Sequence, residues 1–223
     1  MAIGKKINSL LTDQYGNVKY SKPVYTVLLC ALVGVSAYSA YGWYATHKEQ
    51  AAQKVFAECI HEYQKALVDS KMWPNVDMVF KHGYKQHSAS TLAPYFLAYR
   101  ADALYQQDKK DEARELMNQM VQKIPASSPV YNVYRTKMAL MNIDGDDADV
   151  KQSGFKELET LAHDAKNINR DEALYYLGMY HWSNNELAQA KTVWQELAAM
   201  QGADKQSRSP WASAVEEKLQ QIV

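Results

Sequence analysis

Between Lys22 and His47 the chain runs for twenty-four residues, Pro23–Thr46, without a charged side chain. A helix rising about 1.5 Å per residue needs roughly 20 apolar residues to cross about 30 Å of hydrocarbon. Val24–Val35 and its small-residue continuation supply that length, so 23–46 is expected to form a transmembrane anchor. Two other readings of the run fit less well. Ala37 and Ser39 imitate the small residues before a leader-cleavage site, but the uncharged run continues past them to Tyr44. Lipid attachment at Cys30 calls for a small preceding residue, and Leu28 and Leu29 stand there instead.

Charge sets the orientation. Lys5, Lys6, Lys19 and Lys22 stand against the single acid Asp13 before the run, whereas Lys48 and Lys54 after it are offset by Glu49 and Glu58. The lysine excess keeps the short end inside, and Tyr20, Tyr25, Tyr41, Trp43 and Tyr44 favour the two headgroup layers. The expected organisation is a cytoplasmic tail at 1–22, an anchor at 23–46 and an extracytoplasmic domain at 47–223. Divided that way, the neutral chain carries +3 in its tail and −3 in its outer domain. Neither value suits nucleic acid, and a mildly acidic outer domain suits protein contact better than polyanion binding.

Beyond His47 the helical period takes over. Ala52, Val55, Phe56, Cys59, Ile60, Tyr63, Ala66 and Leu67 recur at intervals of three and four, drawing one apolar stripe that continues out of the uncharged run. Asp69–Ser70 and Trp73–Pro74 break it, and Val76, Val79, Phe80 and Tyr84 form a second stripe. Cys59 falls within the first stripe, where a buried thiol is expected; a bridge to a second chain is the alternative. It cannot pair with Cys30 inside one folded chain.

From Thr91 the sequence repeats. Helix pairs are expected at Pro94–Leu104 with Asp111–Ile124 and at Asp171–Asn184 with Glu186–Met200. A looser pair, Pro129–Asn142 with Gly154–Ala165, lies between them around the acidic loop Asp144–Asp149, and Pro210–Val223 reads as a closing helix. The unit at 171–200 resembles the tetratricopeptide repeat, with Leu174, Leu177, Gly178, His181, Ala190, Trp194 and Leu197 at that repeat's apolar and small positions. Leu97, Ala101, Leu104, Ala113, Met117, Met120 and Pro125 match in the earlier pair, with Arg100 where an apolar residue is usual. Ala101 to Gly178 and Ala113 to Ala190 are each 77 residues apart, two repeats of about 34 plus an insertion. The middle unit, with Ala139 and Gly154, matches poorly. The fold class expected is therefore all-α, a single amino-terminal transmembrane helix followed by a tetratricopeptide-like solenoid.

The layout resembles a bacterial family of membrane-anchored, tetratricopeptide-repeat-like proteins, that of the ancillary SecYEG translocon subunit. The resemblance implies a single-pass inner-membrane protein with a periplasmic domain. That domain would act as an interaction platform associating with the translocon and periplasmic chaperones. The alternative is a structural accessory subunit of another inner-membrane complex. Partners of either kind are proteins, with lipid around 23–46 and no nucleic acid.

Chemistry-bearing patterns are weak. A calcium loop starting at Asp144 would put Ala148, Asp149 and Phe155 where a ligand, a glycine and the closing glutamate belong. The six histidines form no four-apart pair flanking a carboxylate, and no glycine-rich phosphate loop or nucleophile elbow occurs. No cofactor, metal or catalytic residue is assigned, and no enzymatic activity is expected. Sixteen tyrosines, five tryptophans and nine methionines are instead ample material for contact surfaces. Because the first helix of each stacked pair lines the concave side, candidate partner-binding residues are Tyr95, Tyr99 and Asp102, then Tyr131, Tyr134 and Arg135, then Tyr175, Met179 and Trp182.

Overall fold

The computed structural model describes residues 21–200 and 209–222, with side chains from Leu29 onward. The expected tail, apart from its last two residues, lies outside these. The described chain is helical, without strands, and divides into two compact units, Met1–Gln53 and Lys54–Val223.

Helix α1, Ser21–Val68, is 48 residues long, so the uncharged run and the first amphipathic stripe form one helix with no break between them. Its exposed apolar side chains include Leu29, Leu32, Val33, Val35, Tyr38, Tyr41, Trp43 and Tyr44. Trp43 packs edge-on to His47 at 4.3 Å. Among the described residues no helix is long and apolar enough to cross a membrane. Val24, Val27 and Leu28, at the most apolar end of the run, precede the described side chains.

In the second unit the last turns of α1 are followed by α2 (Trp73–Gln86), α3 (Ala93–Tyr105), α4 (Lys110–Lys123), α5 (Tyr131–Ile143), α6 (Ala148–His163), α7 (Arg170–Ser183), α8 (Leu187–Ala199) and α9 (Pro210–Gln221). Local signals set these bounds. Asp69 caps a short 3-10 turn, Ser70–Met72, by accepting from the Lys71 amide, and Pro74 and Pro94 occupy the first turns of α2 and α3. Ile124 is extended because Pro125 follows it, which ends α4. Ser209 caps α9, accepting from the Trp211 amide ahead of a Pro210 start. Helix α6 begins six residues before the expected Gly154, within the acidic loop, because Asp147 accepts from the Asp149 and Val150 amides.

The 77-residue register extends into the backbone. Asp108 and Asn185, 77 apart, both take φ of 62°. The next amides, Lys109 and Glu186, donate back to Leu104 and His181, and Asp108 and Asn185 themselves donate to Tyr105 and Trp182. This is a Schellman cap with an Asp or Asn in the left-handed position, made twice.

The core is a row of three clusters. The first joins Cys59, Ala66, Trp73, Val76, Phe80 and Phe96. The second joins Leu97, Ala101, Met117, Met120 and Met141, and the third runs from Ala139 through Leu158, Leu174, Leu177, Trp194 and Leu197 to Val215 and Ile222. Helices α3 and α5 each serve two clusters, so every pair is stabilised by its neighbours. Within pairs, small residues set the approach. A Cβ on Gly178 would lie 2.1 Å from Trp194 Nε1, and one on Gly154 would lie 2.6 Å from the Ala139 carbonyl oxygen. The middle pair, expected to be looser, thus brings α5 and α6 together backbone to backbone. Its poor sequence match reflects which residue supplies the contact rather than a weaker contact.

Candidate functional site

The first helices α3 and α5 bridge to each other by side chains. Tyr95 on α3 meets Tyr134 on α5 with ring centroids 6.2 Å apart. Lys137 on α5 donates to both Asp102 oxygens, at 2.5 and 2.7 Å. Lys137 also attracts the Glu172 carboxylate on α7. Asp102, Lys137 and Glu172 stand 35 residues apart in turn, so an acid, a base and an acid cross three consecutive pairs.

Tyrosines crowd this line, and their burial changes their chemistry. Burial, then Asp102, then Tyr99 push the Tyr63 phenol up to about 12. Burial, then the neighbouring Tyr99, Tyr95 and Asp102, push Tyr134 to about 12 as well. Tyr99 shifts upward through burial and Asp102, and Tyr176 through burial, Glu172 and Tyr175. Glu172 is raised by burial and by Asp171, against the pull of Lys137. At neutral pH the line therefore presents protonated phenols, which can donate hydrogen bonds, beside carboxylates.

The nine residues singled out from the sequence separate into four settings. Tyr99 turns toward the preceding pair, stacking on Phe80 at 5.1 Å and meeting Tyr63 at 4.9 Å and Phe56 at 5.6 Å. Tyr95, Tyr134 and Asp102 stay together between α3 and α5. Arg135 lies over the Tyr131 ring at 5.5 Å and pairs with Glu157 of α6 at 2.6 Å, so these two belong to the α5–α6 contact. Tyr175, Met179 and Trp182 form the fourth setting, packed against the last cluster. There Tyr175 meets Trp211 of α9 at 4.8 Å, and Lys218 of α9 sits over Trp182 at 5.9 Å. All nine are half-buried.

Residues the sequence reading passed over also face this line: Tyr63, Lys137, Glu172, Tyr176 and Trp211. Two signals were available. The 35-residue interval joins Asp102 to Lys137 to Glu172, and the four-residue interval puts Glu172 and Tyr176 on one helix face.

The remaining polar groups have structural tasks. In the acidic loop Asp144 accepts from the Tyr105 hydroxyl at 2.5 Å and pairs with Lys110 at 2.9 Å, partners that lower its pKa. Cys59 is buried, and burial first, then Glu58, push its thiol up to about 11. Among the described residues no group of three or more His, Cys, Asp or Glu is placed to hold a metal ion.

No protein-family model matches the chain, and no curated protein does. Solved structures do match it in fold. A kinesin-light-chain-type protein of nearly identical TPR-like repeats from Podosopora anserina superposes with a TM-score of 0.58 at 11% identity, over 77% of this chain and 86% of that one. A point variant of the same protein gives a TM-score of 0.58 at 11% identity, over 77% and 85%. In fold, this chain is an all-α helical-repeat solenoid of the TPR-like kind.

Proposed function

We propose that this chain is a membrane-anchored protein-interaction platform in the bacterial inner membrane. Its amino terminus is cytoplasmic and its repeat domain periplasmic, associating with the Sec translocon and periplasmic chaperones. The observation that carries the reading is the half-buried tyrosine and carboxylate line along α3, α5 and α7. It runs across consecutive pairs of a solenoid, where an extended or helical segment of another protein can lie against several repeats at once. Amphipathic rings with phenol donors give adaptable contact area at small entropic cost.

The anchor rests on α1. Its solvent-exposed leucines, valines and aromatic rings between Leu29 and Tyr44 form an apolar surface that water disfavours and lipid accepts. The uncharged run continues amino-terminally through Val24, and the lysine excess before it supports a cytoplasmic amino end. Capture of the tagged full chain after mild solubilisation tests the reading. Varied, substoichiometric partners that include translocon subunits and chaperones are the expected result. One constant, stoichiometric set would make the protein a structural accessory subunit instead. Protease added from the periplasmic side should degrade the chain from about Thr46 onward, and protection of the repeat domain would overturn the topology.

A further inference from the structure

The last acid of the line differs from the others. Asp102 has its cation in Lys137, and Asp171 accepts from the Ser209 hydroxyl at 2.5 Å. Glu172 has neither: among the described residues no hydrogen bond or ion pair reaches its carboxylate, although the residue is half-buried. Its charge is partly desolvated and only partly offset by the pull of Lys137, an unfavourable state that an incoming cation relieves.

The groups beside it are aromatic. Tyr175 and Tyr176, three and four residues on, share its side of α7. Their rings lie 5.3 Å apart, and Trp211 of α9 closes the group at 4.8 Å from Tyr175 and 5.4 Å from Tyr176. All three rings are half-buried, each keeping some surface open. The neighbouring rings already show what such faces attract: the Lys218 ammonium sits 5.9 Å from Trp182 and 5.8 Å from Trp194.

We propose that Glu172 with the Tyr175, Tyr176 and Trp211 rings forms a seat for a basic side chain, lysine or arginine, projected by a partner protein segment lying along the first-helix face. The inference rests on the platform reading and adds the partner's chemistry. Charge complementarity selects the occupant: the carboxylate supplies the ion pair, the rings supply cation–π faces, and the phenols donate to the segment's backbone carbonyls. Lys137 does not take the place because Asp102 holds it.

The test uses the full chain in phosphatidylcholine nanodiscs and a fluorescein-labelled peptide, Gly-Ser-Arg-Ala-Arg-Ser-Gly, followed by anisotropy. The matching peptide with Glu for Arg serves as control. The Arg peptide should bind and the Glu peptide should not. Glu172→Gln, which is isosteric, should weaken the Arg peptide about tenfold, the size of a lost charge-assisted contact. Equal affinities for the two peptides, or an unchanged affinity in Glu172→Gln with the helical signal intact, would overturn the proposal. Partner capture by the wild type reads the platform separately. Capture without Arg-peptide binding refutes the seat alone, and selective peptide binding without capture refutes the platform.

Discussion

Gly178→Ala adds one methyl group at the tightest contact of the last pair, and its effect can be worked from the geometry. The new Cβ would stand 2.1 Å from Trp194 Nε1, 2.4 Å from Cδ1 and 2.7 Å from Cε2. The indole must retreat by about 1.5 Å to restore an ordinary contact. It has nowhere easy to go: Trp194 is fully buried and packs against Trp182 at 5.7 Å. Retreat also takes the indole N–H away from the Tyr175 carbonyl, to which it donates at 3.2 Å. Overpacking costs about 1–3 kcal/mol and an orphaned buried donor about 1–3 kcal/mol, while replacing a helical glycine by alanine returns about 1 kcal/mol. A net loss of about 3 kcal/mol follows, or roughly 6–12 °C in Tm for a domain of this size. The chain itself contains the repaired version, since 77 residues earlier the corresponding pair is Ala101 with Met117. In a Trp194→Met background, Gly178→Ala should therefore cost little or stabilise. Thermal unfolding by circular dichroism of the four forms of this cycle measures the coupling. An unchanged Tm in Gly178→Ala, or the same loss in both backgrounds, would show that the glycine is not there to admit the indole.

The remaining expectations are shorter. Asp147→Ala removes the acceptor of two first-turn amides of α6 and should destabilise by about 1 kcal/mol in the same melt, whereas Asp147→Asn should not. Cys59, buried and raised to about 11, should resist maleimide at pH 8 in the folded chain and react fully in denaturant; labelling at equal rates would place it at the surface. Tyr63 and Tyr134 are raised to about 12 in the folded state from an ordinary 10, so the stability they favour is complete below pH 10 and lost as pH rises toward 12. A flat Tm across that window would refute their burial. Tyr99→Ala should lower Tm in the same melt, because its ring fills the aromatic cluster with Phe80, and an unchanged Tm would place that ring outside the core. Glu172, raised by burial, favours folding only at acid pH, so Glu172→Gln should hold or raise the Tm at pH 7 while weakening the Arg peptide; a loss of both would assign the residue to packing.

The pairing of helices was legible because each has an apolar stripe at three and four and starts or stops at a residue with a local reason to do so, such as Asp69, Pro74, Pro125 or Pro210. The register of the outer pairs was legible from Ala101 with Gly178 and Ala113 with Ala190, and the structure carries it into the left-handed turns at Asp108 and Asn185. The start of α6 was not, because an aspartate inside an acidic run reads as loop until its oxygen is seen accepting two amides. The faces were harder still. A first helix in a stack meets its own partner, the pair before and the pair after, so three of its sides are apolar and periodicity cannot rank them. That is why Tyr95 and Tyr99 look alike in sequence, yet one meets α5 and the other packs on Phe80. Charge is the better guide across a stack, since a half-buried acid needs a cation one repeat away. Asp102 finds Lys137 at an interval of 35 residues. The same step from Lys137 arrives at Glu172 on α7, where among the described residues no hydrogen bond or ion pair meets the carboxylate. The cation that answers Asp102 from within the stack would at Glu172 come from a partner segment, beside the rings of Tyr175, Tyr176 and Trp211.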